Sequence, residues 1–174
     1  MKNNLRGLLG LIMVMTVFIA HAQDLKIDVV LNHLKTIKTQ EHDGDELYFT
    51  TSEYQKNTST VYKRIPKKPL YLTSKRAEEL ANFGLWSGVL KEGKAVTVIV
   101  ALNEYDPMLM DPDELIGSMR VTFKNDKGTL KTKWSIPNRM DGPEVITGQH
   151  GAIQKFDLVG PVGRYEVYLS VKKK

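Results

Sequence analysis

Eight carboxylates are gathered into two short stretches of this chain. The first is His42-Asp43-Gly44-Asp45-Glu46, immediately before the strand-like run Leu47-Tyr48-Phe49-Thr50-Thr51. The second is Glu104 and Asp106, directly after a long apolar run, with Asp111, Asp113 and Glu114 directly before the next one. Like charges held close together repel, and a folded chain must offset that repulsion. A hard cation does so, because calcium takes six to eight oxygen ligands at about 2.3–2.6 Å from carboxylates, carbonyls and water. The bland alternative is that Asp and Glu are simply common in turns, where short side chains bond their own backbone.

Other chemistry finds little support. There is no Cys, so thiol catalysis is excluded. Beyond His21 there are His33, His42 and His150, far apart and without metal-ligand spacing; only His42 has an acidic neighbour, Asp43. No Gly-x-Ser-x-Gly stretch marks a serine nucleophile. Paired carboxylates can hydrolyse a sugar bond, but short loops at the end of a small domain rarely form the necessary cleft. The expectation is a protein that is not an enzyme.

The elements that must position these acids are read from period-two alternation. Leu25, Ile27, Val29 and Leu31 alternate with Asp24, Lys26, Asp28 and Val30. Ala95 to Leu102 is a continuous apolar run rich in β-branched residues, expected as a buried central strand. Leu70-Tyr71-Leu72-Thr73, Leu115 to Phe123, Thr129 to Ile136, Ile153 to Val159 and Tyr165 to Val171 add further strands. Asn125-Asp126-Lys127-Gly128 is a turn signal between two of them. One helical segment is expected near 74–82, capped by Ser74, with Glu78 or Glu79 near its first turn and ended by Gly84. About eight short strands with intervening turns imply an all-β antiparallel sandwich.

The stretch Val98-Ile99-Val100-Ala101-Leu102-Asn103-Glu104-Tyr105-Asp106, continued by Asp113-Glu114-Leu115-Ile116-Gly117-Ser118-Met119-Arg120-Val121, resembles the third calcium loop of C2 domains. That family shows an apolar strand, an acid-x-acid pair, a loop, then an acid shortly before Ile-Gly and another strand. Asp45-Glu46-Leu47-Tyr48 similarly resembles the first calcium loop. The sequence departs from the pattern in three ways. Glu104 stands where the leading acid is usually Asp, the loop from Asp106 to Glu114 is long, and Asp43 and Asp45 are close together. The resemblance implies an eight-stranded, calcium-binding or membrane-binding sandwich with Asp43, Asp45, Glu104, Asp106, Asp113 and Glu114 as the metal site.

Within the second loop, Met108-Leu109-Met110 is apolar. In C2 domains such residues insert into a bilayer once calcium neutralises the acids. The alternatives are a satellite cluster folded onto the domain or an adaptable protein contact. Lys63, Arg64, Lys67 and Lys68, followed by Lys75 and Arg76, form a basic segment that suits anionic lipid headgroups. It also suits a solvated edge that discourages aggregation.

At the N-terminus, a basic head, the apolar run Gly7 to Ala20, and Ala20-His21-Ala22 read as a signal peptide over residues 1–22. Cleavage after Ala22 would leave residues 23–174 as one domain, exported to the periplasm or beyond the cell. With Lys2 and Arg6 removed, the mature charge is +3. That is too weak a basic balance to point to nucleic acid. The expected partner is a membrane surface or an envelope protein. A metal-free structural subunit of an envelope or secretion assembly is the rival reading.

Overall fold

The computed structural model describes residues 23–54, 61–67, 72–106, 112–136, 145–148, 151–161 and 163–174, with the backbone alone at 61 and 145–148. The proposed signal peptide, Lys68, Met108, Leu109, Met110, Asp111 and His150 lie outside these residues.

Among the described residues, ten strands follow one another: β1 (Leu25–Lys38), β2 (Leu47–Tyr54), β3 (Val61–Ile65), β4 (Phe83–Leu90), β5 (Ala95–Glu104), β6 (Glu114–Asp126), β7 (Thr129–Ser135), β8 (Val145–Gly148), β9 (Gln154–Val159) and β10 (Arg164–Lys173). They form two antiparallel sheets, one ordered β4-β1-β10-β9 and the other β3-β2-β5-β6-β7-β8. The fold is an all-β sandwich.

Alternation builds the core. On β5 the inward series is Val96, Val98, Val100 and Leu102, each at most 5% exposed. On β6 it is Met119, Val121 and Phe123, and on β10 Tyr165, Val167, Leu169 and Val171. These side chains meet between the sheets with Leu25, Ile27, Val29 and Leu31 of β1. Burial of this kind stabilises by about 25 cal/mol per Å² of apolar surface.

Three strands were not expected from alternation: β3, β4 and β8. In β4, Gly84 lies inside the strand rather than ending a helix, and Gly88 interrupts the pattern. The reason for Gly88 is tertiary. The Trp86 indole folds across it, so that a Cβ there would sit 2.4 Å from the ring. Trp86 then stacks on Phe123 at 5.5 Å and donates its indole N–H to Glu53 at 3.0 Å.

The expected helix over 74–82 is shorter, a 3-10 helix at Ser74–Glu79 with no acid in its first turn. Ser74 is its first residue rather than its cap, and its hydroxyl accepts the Asp45 N–H at 3.0 Å. Of the strand expected at Leu70 to Thr73, only Leu72 and Thr73 are described, and Thr73 makes an isolated bridge to Glu46.

Candidate functional site

The β1–β2 loop and the residues that leave β5, Tyr105 and Asp106, meet at one end of the sandwich. The backbone fixes the meeting: Tyr105 N–H donates to the Glu46 carbonyl at 2.8 Å, and Leu47 pairs with Glu104 in the β2–β5 register.

Glu104 is the next inward position after Leu102 on β5. The same alternation that buries four apolar side chains therefore buries its carboxylate, which is 2% exposed. Its Oε2 has no hydrogen-bond partner. Glu41, from the β1–β2 loop, and Asp106, just past β5, complete a group of three carboxylates whose oxygens lie within 4.8 Å of one another. The ion pairs among the described residues include none of the three.

Burial and the surrounding charges of Asp106, Asp45, Glu41 and Glu114 push the Glu104 carboxyl up to about 8. Glu41 is also raised, by desolvation first and then by Glu46, Asp106, Asp45 and Asp43. A carboxylate denied water and surrounded by its own kind favours the protonated form. A bound cation would favour the ionised form instead.

Asp45 has a different task. Its Oδ1 accepts the N–H groups of Gln40 and Glu41, both at 3.0 Å, and its Oδ2 accepts the Tyr165 hydroxyl. Fully buried, it holds the β1–β2 loop against the sandwich end, with the exposed Glu41 beside Glu104 and Asp106. The desolvated Tyr165 hydroxyl, held by this carboxylate, ionises well above its ordinary range.

The other expected ligands separate. The Asp43 side chain is 95% exposed and lies 3.7 Å from both His42 and Lys75. Asp113 accepts the Tyr48 hydroxyl at 2.7 Å and an Arg64 N–H at 3.3 Å. Glu114 pairs with Glu104 in the β5–β6 register and acts on it by charge, but stands outside the close group. Glu41 was not among the residues picked from the sequence. Thr39-Gln40-Glu41 shows no pattern that would have marked it.

Of the basic segment, Lys63 and Lys67 are exposed, whereas Arg64 is partly covered by two tyrosine rings. Among the described residues, no helix is long and apolar enough to cross a membrane.

No protein-family model matches the chain, and no curated protein matches it in sequence. Among solved structures, one match is human GIVD cytosolic phospholipase A2 in complex with methyl gamma-linolenyl fluorophosphonate. It is 8% identical, with 88% of this chain and 33% of that chain covered, at a TM-score of 0.38. The chain thus spans about a third of that protein's length, and likeness at this level says nothing about function.

Proposed function

We propose that this protein is an exported, non-enzymatic binding module whose acidic sandwich end takes a divalent cation, calcium by preference. The observation that carries the reading is the buried Glu104 carboxylate, with Oε2 unpartnered and Glu41 and Asp106 beside it. An unpaired buried polar atom is costly, and a cation would satisfy it. The donors are all carboxylate oxygens, which suit hard cations such as calcium, while soft or borderline metals favour His and Cys. Glu41, Glu104 and Asp106 would hold the ion, and the ion would supply positive charge that the cluster lacks.

The export reading rests on the signal-like residues 1–22, and the partner reading on Met108-Leu109-Met110, next to the acids in sequence. With the charge neutralised, that apolar loop would meet a membrane surface or an envelope protein. The metal-free assembly subunit remains the second reading, favoured by Ile153 and Val159. These apolar residues, one just before the β9 edge strand and one at its end, are 58% and 70% exposed. Such edges pair with other proteins.

Thermal unfolding of the purified protein in excess calcium and in excess chelator tests the proposal. A ligand that binds only the native state adds about 2.7 kcal/mol at a hundredfold excess over its Kd. For a domain of this size that is a rise of roughly 5–10 °C in Tm. No calcium-dependent rise in Tm would sink the cation reading and leave the assembly subunit.

A further inference from the structure

The acids expected as ligands divide between the two faces of the six-stranded sheet. Glu104 follows the inward series of β5, whereas Tyr48 and Thr50 alternate with the inward Leu47, Phe49 and Thr51 of β2. Arg64 pairs with Thr50 in the β2–β3 register and so shares that outer face. Its guanidinium carbon lies 3.7 Å from the Tyr48 ring centroid and 5.3 Å from that of Tyr105. A guanidinium over an aromatic face is held by the ring quadrupole. Asp113 completes the cluster, its Oδ2 accepting from Arg64 at 3.3 Å and from the Tyr48 hydroxyl at 2.7 Å.

The carboxylates left to a cation are therefore few. Asp45 has both oxygens engaged by Gln40, Glu41 and Tyr165. Asp43 points into solvent beside Lys75. Among the described residues, Glu41, Glu104 and Asp106 remain as a close group, with Glu114 outside it, and the Oε2 of the 2%-exposed Glu104 is a buried acceptor without a hydrogen-bond partner.

Resting on the cation-binding reading, we infer that the site takes a single divalent cation at Glu41, Glu104 and Asp106. Arg64 stands permanently where a second positive charge would be needed, beside Asp113. The guanidinium ties β3 to the far end of the β5–β6 loop, so the loop base is organised before any ion arrives. Arg64 is therefore an internal counter-charge rather than a contact for lipid headgroups, which falls to exposed neighbours such as Lys63.

Isothermal titration of the full chain with calcium chloride decides this, read beside the thermal shift. One equivalent should bind. Asp113→Asn should bind it within about twofold of the parent affinity, and Glu41→Gln should lose about tenfold or more, since loss of even an outer-shell partner costs a metal site about 10–100-fold. Arg64→Lys preserves the charge and should also bind one equivalent unchanged, which keeps the test sound if Asp113→Asn folds poorly. Two equivalents in the parent protein, or a tenfold loss on Asp113→Asn, would overturn the single-ion assignment while leaving cation binding intact. The absence of both binding heat and a thermal shift would remove the cation-binding reading itself, and this inference with it.

Discussion

At the scale of single residues, two buried polar side chains hold opposite ends of the sandwich. Asp45 gathers two backbone N–H groups and the Tyr165 hydroxyl at the acidic end. Tyr165→Phe would strip one donor from a buried carboxylate, and a buried group left unsatisfied costs about 1–3 kcal/mol. Urea unfolding should show that loss as a lower midpoint with an unchanged slope. At the other end, fully buried Asn125 donates to the carbonyls of Gln23 at 2.7 Å and Leu90 at 3.0 Å, and accepts from Gly128 N–H at 2.9 Å. Its side chain ties the β6–β7 turn to the end of β4 and to the chain's entry into β1. Asn125→Ala should cost about 2–4 kcal/mol by the same measurement, since several bonds go at once. An unfolding midpoint within error of the parent would refute either assignment.

At the scale of elements, the two sheets close on one another where β9 passes β6. A Cβ on Gly160 would lie 2.7 Å from the Ile116 Cα, a backbone atom that cannot rotate away. A Cβ on Gly117 would meet the Leu158 side chain at 3.1 Å, a smaller overlap that a shift of a few tenths of an ångström would relieve. Gly160→Ala should therefore destabilise by about 1–3 kcal/mol, as overpacking does, and Gly117→Ala by less. The order of the two thermal midpoints checks it, and the reverse order would contradict the close approach. β5 shows how an element serves both stability and site: one alternation sends four apolar side chains and then Glu104 inward. Glu104→Gln removes the buried charge while keeping the shape. Near and above pH 8, where the native carboxyl ionises, it should raise Tm without cation, and it should abolish most of the calcium-dependent rise.

For the whole molecule, the acidic end makes stability depend on pH. Glu104 is raised to about 8 from an ordinary 4.5. Between those values the native protein holds a proton that the unfolded chain has released. Stability from this group is then fully present below about pH 4.5 and is lost as pH rises to about 8. Calcium acts in the opposite sense, because a cation binds the ionised carboxylate and displaces the proton. The difference in Tm between calcium and chelator should therefore widen from about pH 5.5 to about pH 8.5. In Glu104→Gln that widening should be absent, and a difference in the parent that is constant or narrows with pH would argue against Glu104 as a ligand.

Period-two patterning by itself determined the sandwich, the long central strand β5, the β6–β7 hairpin and the placing of acids at strand ends. It did not reveal β4, whose glycines make sense only once Trp86 lies across Gly88, nor the short edge strand β3. Local chemistry also misled at Ser74, which accepts from Asp45 across a loop instead of capping a helix. The acids were legible as a group, but not their roles. Asp43 and Asp45 are of one type and two residues apart, yet one lies in solvent and the other is fully buried beneath Tyr165. Glu41 joins the site because Asp45 draws its backbone N–H inward, and Asp113 leaves it because Arg64 arrives from β3. Alternation is written residue by residue along a strand. Which loop carboxylate meets which partner depends on chain segments that come together only when the sheets pack.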